Sequence, residues 1–243
     1  MSSGPETVAF LGASTGVGLS ALKHTLATGR RCIALCRNPE KLSAILPATS
    51  NPNLEIVQGN AHDVAAVSRC LQPSSGALVS TVVSTIGGAF IFSKMTLDDP
   101  EVCRKGMVTL LEALDQLRRD GAVGKPHIII CSTTGMSRFG RDTPLAVVPM
   151  YKVLLKVPHE DKIVMEDLLV ESEEEYTIVR ASLMVNGETT KKIRVGIEDP
   201  RTGRESDAIG YTISREDAGR WVAENLVLSR DGRYNKKIAT ITY

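Results

Sequence analysis

Short apolar runs alternate with segments of helical periodicity along most of this chain. TVAFL (7–11), RCIALC (31–36), LEIV (54–57), ALVSTVVS (77–84), HIIIC (127–131) and YTIVR (176–180) read as buried strands, and the tail KIATITY as a last one. Residues 16–28, 64–71, 98–119, 160–171 and 215–228 read as helices between them. Several starts carry their own signals. Asn38 is a capping residue with Pro39 at the first helical position, and Asp63 can cap 64–71. Ser214 with Asp217 forms a capping-box-like pair. Strands alternating with helices imply right-handed crossovers and a mostly parallel sheet covered on both faces, an α/β doubly wound fold. One polar, glycine-rich segment breaks the rhythm, 184–213, which follows the sixth strand at the carboxyl edge where open sheets bind ligands. It is expected to form a small C-terminal substrate-side lobe within a single domain spanning 1–243; the alternative is a solvated hairpin.

Composition narrows the function classes. Of 243 residues 42% are hydrophobic, enough for a full core, which excludes general disorder. Lys+Arg 29 against Asp+Glu 28 gives +1, so no global field favours nucleic acid or an acidic membrane surface. Four Phe, five Tyr and one Trp beside 20 Gly suit an aliphatic parallel sheet better than a base-stacking platform. The five cysteines form no C-x-x-C pair and no cluster with histidine, so no metal site is expected. Cys32 and Cys36, four apart, fall on one face of a strand as buried thiols. The start MSSGPETVAFLGAS shows no leader pattern, and no apolar run approaches the roughly 18 residues of a membrane span. A soluble, cytoplasmic protein is the expectation.

The first strand runs directly into Gly12-Ala13-Ser14-Thr15-Gly16-Val17-Gly18, and an apolar helix follows. Gly12 permits the tight turn, Gly16 lets the backbone approach a pyrophosphate, and Gly18 lets the helix pack close to the sheet. Free N–H groups and the helix dipole would then meet the phosphates, with Ser14 and Thr15 adding hydroxyls. A phosphate-loop NTPase is excluded, because Val17 stands five residues after Gly12 and no Lys-Ser/Thr follows. A Rossmann-type dinucleotide site is the prediction.

The spacing G-x-x-x-G-x-G resembles the short-chain dehydrogenase/reductase superfamily. CIALCRNPEKL (32–42), EIVQGNAHDVAAV (55–67), VVSTIGG (82–88) and EEYTIVRASLMVNG (174–187) are similar to its atypical branch, which includes NmrA-like proteins and flavin/biliverdin reductases of the B type. The resemblance is strongest over 7–184. It implies that Asn60 and Ala61 lie beside an adenine, with Asn60 where the family usually has an acid. It also implies that Thr85, Ile86 and Gly87 line the middle of the cofactor.

An acid at the end of the second strand would hydrogen-bond an NAD ribose. Here no Asp or Glu occurs between Gly18 and Glu40, and Arg37 stands at the strand end, 37 − 18 = 19 residues past the last motif glycine. An arginine there can clamp a 2′-phosphate through charge-assisted bonds, so NADP(H) is predicted over NAD(H).

The main branch of the superfamily uses Tyr-x-x-x-Lys with an upstream serine, the lysine lowering the tyrosine pKa. Ser132 occupies the serine slot and Tyr151 is the tyrosine of that stretch, but the residue at i+4 is Leu155. Lys156, at i+5, is rotated about 100° further round a helix, and Pro158 disfavours a long helix through here. The standard dyad is absent. His159, Lys162 and Glu166 sit at i, i+3 and i+7 on one helix face. The resemblance puts Lys162 near the nicotinamide ribose; the alternative is a Lys162–Glu166 surface pair. Ser132, Tyr151 and Lys162 are therefore the candidate catalytic groups.

Three functions fit: an NADPH-dependent reductase of a small organic carbonyl, flavin or conjugated substrate; a non-catalytic NADP(H) sensor controlling a protein partner, as NmrA-like proteins do; or a redox-neutral isomerase, dehydratase or cyclase. The segment 98–119 could pack on a second copy or another partner, or serve the core.

Overall fold

The structure, a computed structural model, describes residues 6–73, 76–88, 90–91, 96–229 and 232–243. The first five residues of the stretch read for a leader lie outside the described residues. β1 (Thr7–Leu11), β2 (Arg31–Cys36) and β3 (Leu54–Gln58) alternate with α1 (Gly16–Leu26), α2 (Pro39–Ser43) and α3 (Val64–Leu71). β4 (Thr81–Ser84) is followed by a short antiparallel pair, β5 (Phe90–Ile91) and β6 (Thr96–Leu97), then by α4 (Val102–Arg119) and β7 (His127–Thr133). α5 (Val148–Leu154) and α6 (Lys156–Glu171) precede β8 (Glu175–Ala181). β9 (Leu183–Val185), β10 (Arg194–Asp199), β11 (Gly203–Ser206) and β12 (Thr212–Ser214) lead to α7 (Arg215–Val222) and β13 (Lys237–Thr242).

The capping signals act where the sequence puts them. Asn38 accepts from the Glu40 N–H, Asp63 from those of Ala65 and Ala66, and Ser214 from that of Asp217. α7 passes into a π turn over Ala223–Leu228. Pro158 sits in the first turn of α6, where a missing N–H costs nothing, so that helix starts earlier than predicted. The main sheet has the order β11-β10-β13-β8-β7-β4-β1-β2-β3, parallel from β13 to β3. Both faces are buried, which is why the strands read as continuous apolar runs. Val8 and Phe10 pack with Leu22 and Trp221 on the α1/α7 face, and Ala9 and Leu11 with Leu71 and Leu114 on the other. Cys32 and Cys36 share the first face as free thiols, and burial pushes Cys32 up to about 12.

The segment 184–213 divides. β9 and β12 pair in parallel as a small separate sheet following the carboxyl end of β8. β10 and β11 do not belong to a lobe: β10 pairs antiparallel with β13, Arg194 opposite Thr242, and extends the main sheet. Its signal was present as alternating Ile193, Val195 and Ile197 before a turn, in which Asp199 accepts from the Arg201 and Thr202 N–H groups. Among the described residues no helix is long and apolar enough to cross a membrane, and no His/Cys/Asp/Glu group could hold a metal.

Candidate active site

The strand order reverses between β1 and β4, and there the glycine turn leaves the sheet. Gly12 has φ +91, and a Cβ on it would stand 2.9 Å from the Thr85 carbonyl carbon. On Gly18 it would stand 2.3 Å from Thr85 Oγ1 and 2.7 Å from the Gly12 oxygen. Thr85 Oγ1 itself donates to that oxygen at 3.0 Å, so turn and fourth strand form one contact with no room for side chains. Thr15 is the N-cap residue of α1 but makes no side-chain cap, which leaves the first-turn N–H groups without a side-chain acceptor among the described residues.

Beside the turn lies a cavity of ≈ 260 Å³. Gly12, Ser14 and Thr15 line one part, and Thr85, Ile86 and Gly87 the middle. Arg37, Asn60 and Ala61 line the part beyond β2 and β3. Gly16 and Val17 do not line it: Val17 is packed in the core, and Gly16 lies against the Arg215 side chain. Arg37 is exposed and has no hydrogen-bond or ion-pair partner among the described residues. Asn60 Oδ1 accepts from the His62 N–H at 3.2 Å. His62, Asp98 and Asp99 also line the cavity and were missed, since no motif marks them. Lys105 and the Glu101 N–H bind Asp99; the backbone bond, first, with Lys105, holds its carboxyl below the ordinary value. A phosphate cradle too tight for a Cβ, open N–H groups and an unpaired guanidinium together fit a dinucleotide.

The catalytic candidates are brought together only in part. Ser132 is fully buried, and its hydroxyl donates to Glu166 Oε1 at 2.5 Å. Arg180 clasps Glu166 at 2.6 Å and Glu198 at 3.0 Å, and Arg204 closes the network on Glu198 at 3.4 Å. Ser132 thus serves a buried ion network. The Lys162–Glu166 pair is not formed; Lys162 Nζ donates instead to the Cys131 carbonyl at 3.1 Å. α5 ends before Lys156, so Tyr151 and Lys156 share no helix.

Tyr151 is buried, its ring centroid 5.7 Å from that of His159. A Cβ on Gly135 would stand 2.7 Å from Tyr151 Cδ1 and 2.9 Å from His159 Cε1, so the chain after β7 is pressed against both rings. Burial pushes the Tyr151 phenol up, while the neighbouring Thr134 hydroxyl and the Leu183 backbone pull it back. Burial drives His159 down to about 4, against the pull of Asp142. Thr134 Oγ1, Asp142 Oδ2 and His159 Nε2 are buried with no partner of hydrogen-bonding geometry among the described residues. The hydroxyl beside the tyrosine therefore belongs to Thr134, two residues past the one the spacing selects.

Cradle, cavity and sheet order define a dinucleotide-binding Rossmann domain with the fold of short-chain dehydrogenases. The chain belongs to the NAD(P)H-binding family, whose model matches residues 12–227. It is 43% identical over 270 residues to the reductase pytE of Aspergillus terreus, covering 100% of each chain. It is 32% identical to the oxidase pynE of Aspergillus niger, covering 97% of this chain and 98% of that one. Among solved structures, a short-chain dehydrogenase/reductase of Veillonella parvula in complex with NADP matches with TM-score 0.74 at 14% identity, covering 98% of this chain and 95% of that chain. The anaerobillin reductase ChuY of Escherichia coli matches with TM-score 0.67 at 17% identity, covering 97% and 96%.

Proposed function

We propose that this chain is an NADP(H)-dependent oxidoreductase that reduces a small organic substrate through a carbonyl, flavin or other conjugated group. The observation that carries the reading is the cavity at the switch point with unpartnered Arg37 at the strand end. The full-length similarity to a protein named a reductase supports the redox role. Gly12, Ser14, Thr15 and the first-turn N–H groups of α1 would hold the pyrophosphate, and Arg37 the 2′-phosphate. Asn60 and Ala61 would flank the adenine. When bound, the cofactor supplies a hydride.

The chain's own part is positioning and proton supply. Tyr151, kept protonated by burial, is the proton donor near the end of β7. Lys162, fixed on the Cys131 carbonyl at the end of β7, would favour negative charge developing on a substrate oxygen. Leu183 and Val185, apolar yet exposed on β9 after the carboxyl end of β8, favour a substrate with apolar surface.

NADPH oxidation with a panel of ketones, enones, quinones and flavins tests the reading. Turnover on one of them, reduced in Tyr151→Phe, is expected. Tight NADPH binding without turnover on any would replace it with the sensor function. A product formed without net NADPH consumption would replace it with the redox-neutral one.

A further inference from the structure

α7 meets the glycine turn at backbone distance. A Cβ on Gly219 would stand 2.4 Å from the Val17 oxygen and 2.5 Å from Ser20 Cβ, and Ser20 Oγ donates to the Glu216 oxygen at 2.6 Å. The start of α7 is therefore held in a fixed place against the start of α1. Arg215 is its first residue. The Arg215 side chain runs over Gly16: a Cβ there would stand 3.2 Å from Arg215 Cδ and 4.0 Å from Nε. Its guanidinium reaches Asn186 Oδ1 at 2.7 Å, and among the described residues it meets no carboxylate. The first turn of α1 carries no acidic residue. A half-buried, always-charged side chain thus crosses the glycine turn, its stem over Gly16 and its terminal fork on a neutral amide.

We infer that Arg215 is a second cationic contact of the cofactor, gripping its pyrophosphate across the glycine turn from α1. The inference rests on the dinucleotide reading of that turn and adds a division of labour to it. A pyrophosphate is common to NADPH and NADH, so Arg215 strengthens both alike, whereas Arg37 acts on the 2′-phosphate that only NADPH carries. Asn186, in the chain after β9, accepts from the guanidinium and steadies it.

The experiment is titration of the purified full chain with NADPH and with NADH, followed by nicotinamide fluorescence, for wild type, Arg215→Gln, Arg215→Lys and Arg37→Gln. Arg215→Gln is expected to weaken both dinucleotides by about tenfold or more, the scale of a lost charge-assisted bond. Arg215→Lys, which keeps the charge without the fork, should fall between, and it stands in if the Gln variant does not fold. Arg37→Gln should weaken NADPH alone. Unchanged Kd for both ligands in Arg215→Gln, or a loss confined to NADPH, overturns the assignment. A wild-type chain that binds neither dinucleotide overturns the cofactor reading and this inference with it.

Discussion

Two arginines near the carboxyl edge of the sheet have opposite fates. Arg37, just past β2, is exposed and has no partner among the described residues. Arg180, inside β8, is 5% exposed and spans two buried carboxylates, with Ser132 and Arg204 completing the set. A cation left unpaired beside a cavity is available to an anionic ligand, whereas one enclosed by carboxylates is committed to the fold. The same contrast separates the cofactor end of the site, open and polar, from the β7–β8–β10 end, where polar groups are consumed internally or sealed in. Ser132 belongs to the second region despite standing where a catalytic serine would.

The largest effect expected is at Arg180. Arg180→Met leaves Glu166 and Glu198 buried without their cation and should cost about 3–5 kcal/mol in urea unfolding. Wild-type stability in that variant would remove the structural half of the contrast. Arg37→Gln should leave unfolding within about 0.5 kcal/mol of wild type yet weaken NADPH by about 2 kcal/mol, with NADH unaffected. Equal weakening of the two would show that Arg37 does not read the 2′-phosphate.

His159 supplies the pH dependence of the sealed region. It takes its proton near pH 4 in the fold and near 6.5 when unfolded, so the unfolded chain binds more protons between those values. Its contribution is full above pH 6.5 and is lost as the pH falls toward 4. About 2 kcal/mol is at stake after allowance for partial exposure. His159→Gln should flatten that part of the stability profile, and an unchanged slope would place the titration elsewhere. The smallest effect is Ser132→Ala, about 1 kcal/mol of stability with the pH profile of kcat unchanged. A displaced profile there would return Ser132 to the chemistry.

The fold was legible to the extent that its signals are local. β1, β2 and α3 begin and end where the apolar runs and the Asp63 cap put them. Arg37 was legible for the same reason, since strand, turn and helix fix its place within a few tens of residues. The catalytic end was less so. Spacing selects Ser132 and overlooks Thr134, because which hydroxyl faces the tyrosine depends on how the chain bends after β7 at Gly135, φ +96. The strand β10 was read as part of a polar lobe because its pairing partner, β13, lies some forty residues further on.

The sequence by itself determined the alternation that buries both sheet faces, the glycine turn, the helix caps and the arginine at the end of β2. Each is a property of neighbours along the chain, set by backbone sterics and periodicity. Only the tertiary structure decided which polar groups stay free. Ser132 meets Glu166 across 34 residues, and Arg180 meets Glu198 across 18. Arg215 meets Gly16 from the far end of the chain. A buried charge must find its counter-charge wherever the packing brings one, so the division between ligand-binding and structural groups is settled by the fold as a whole.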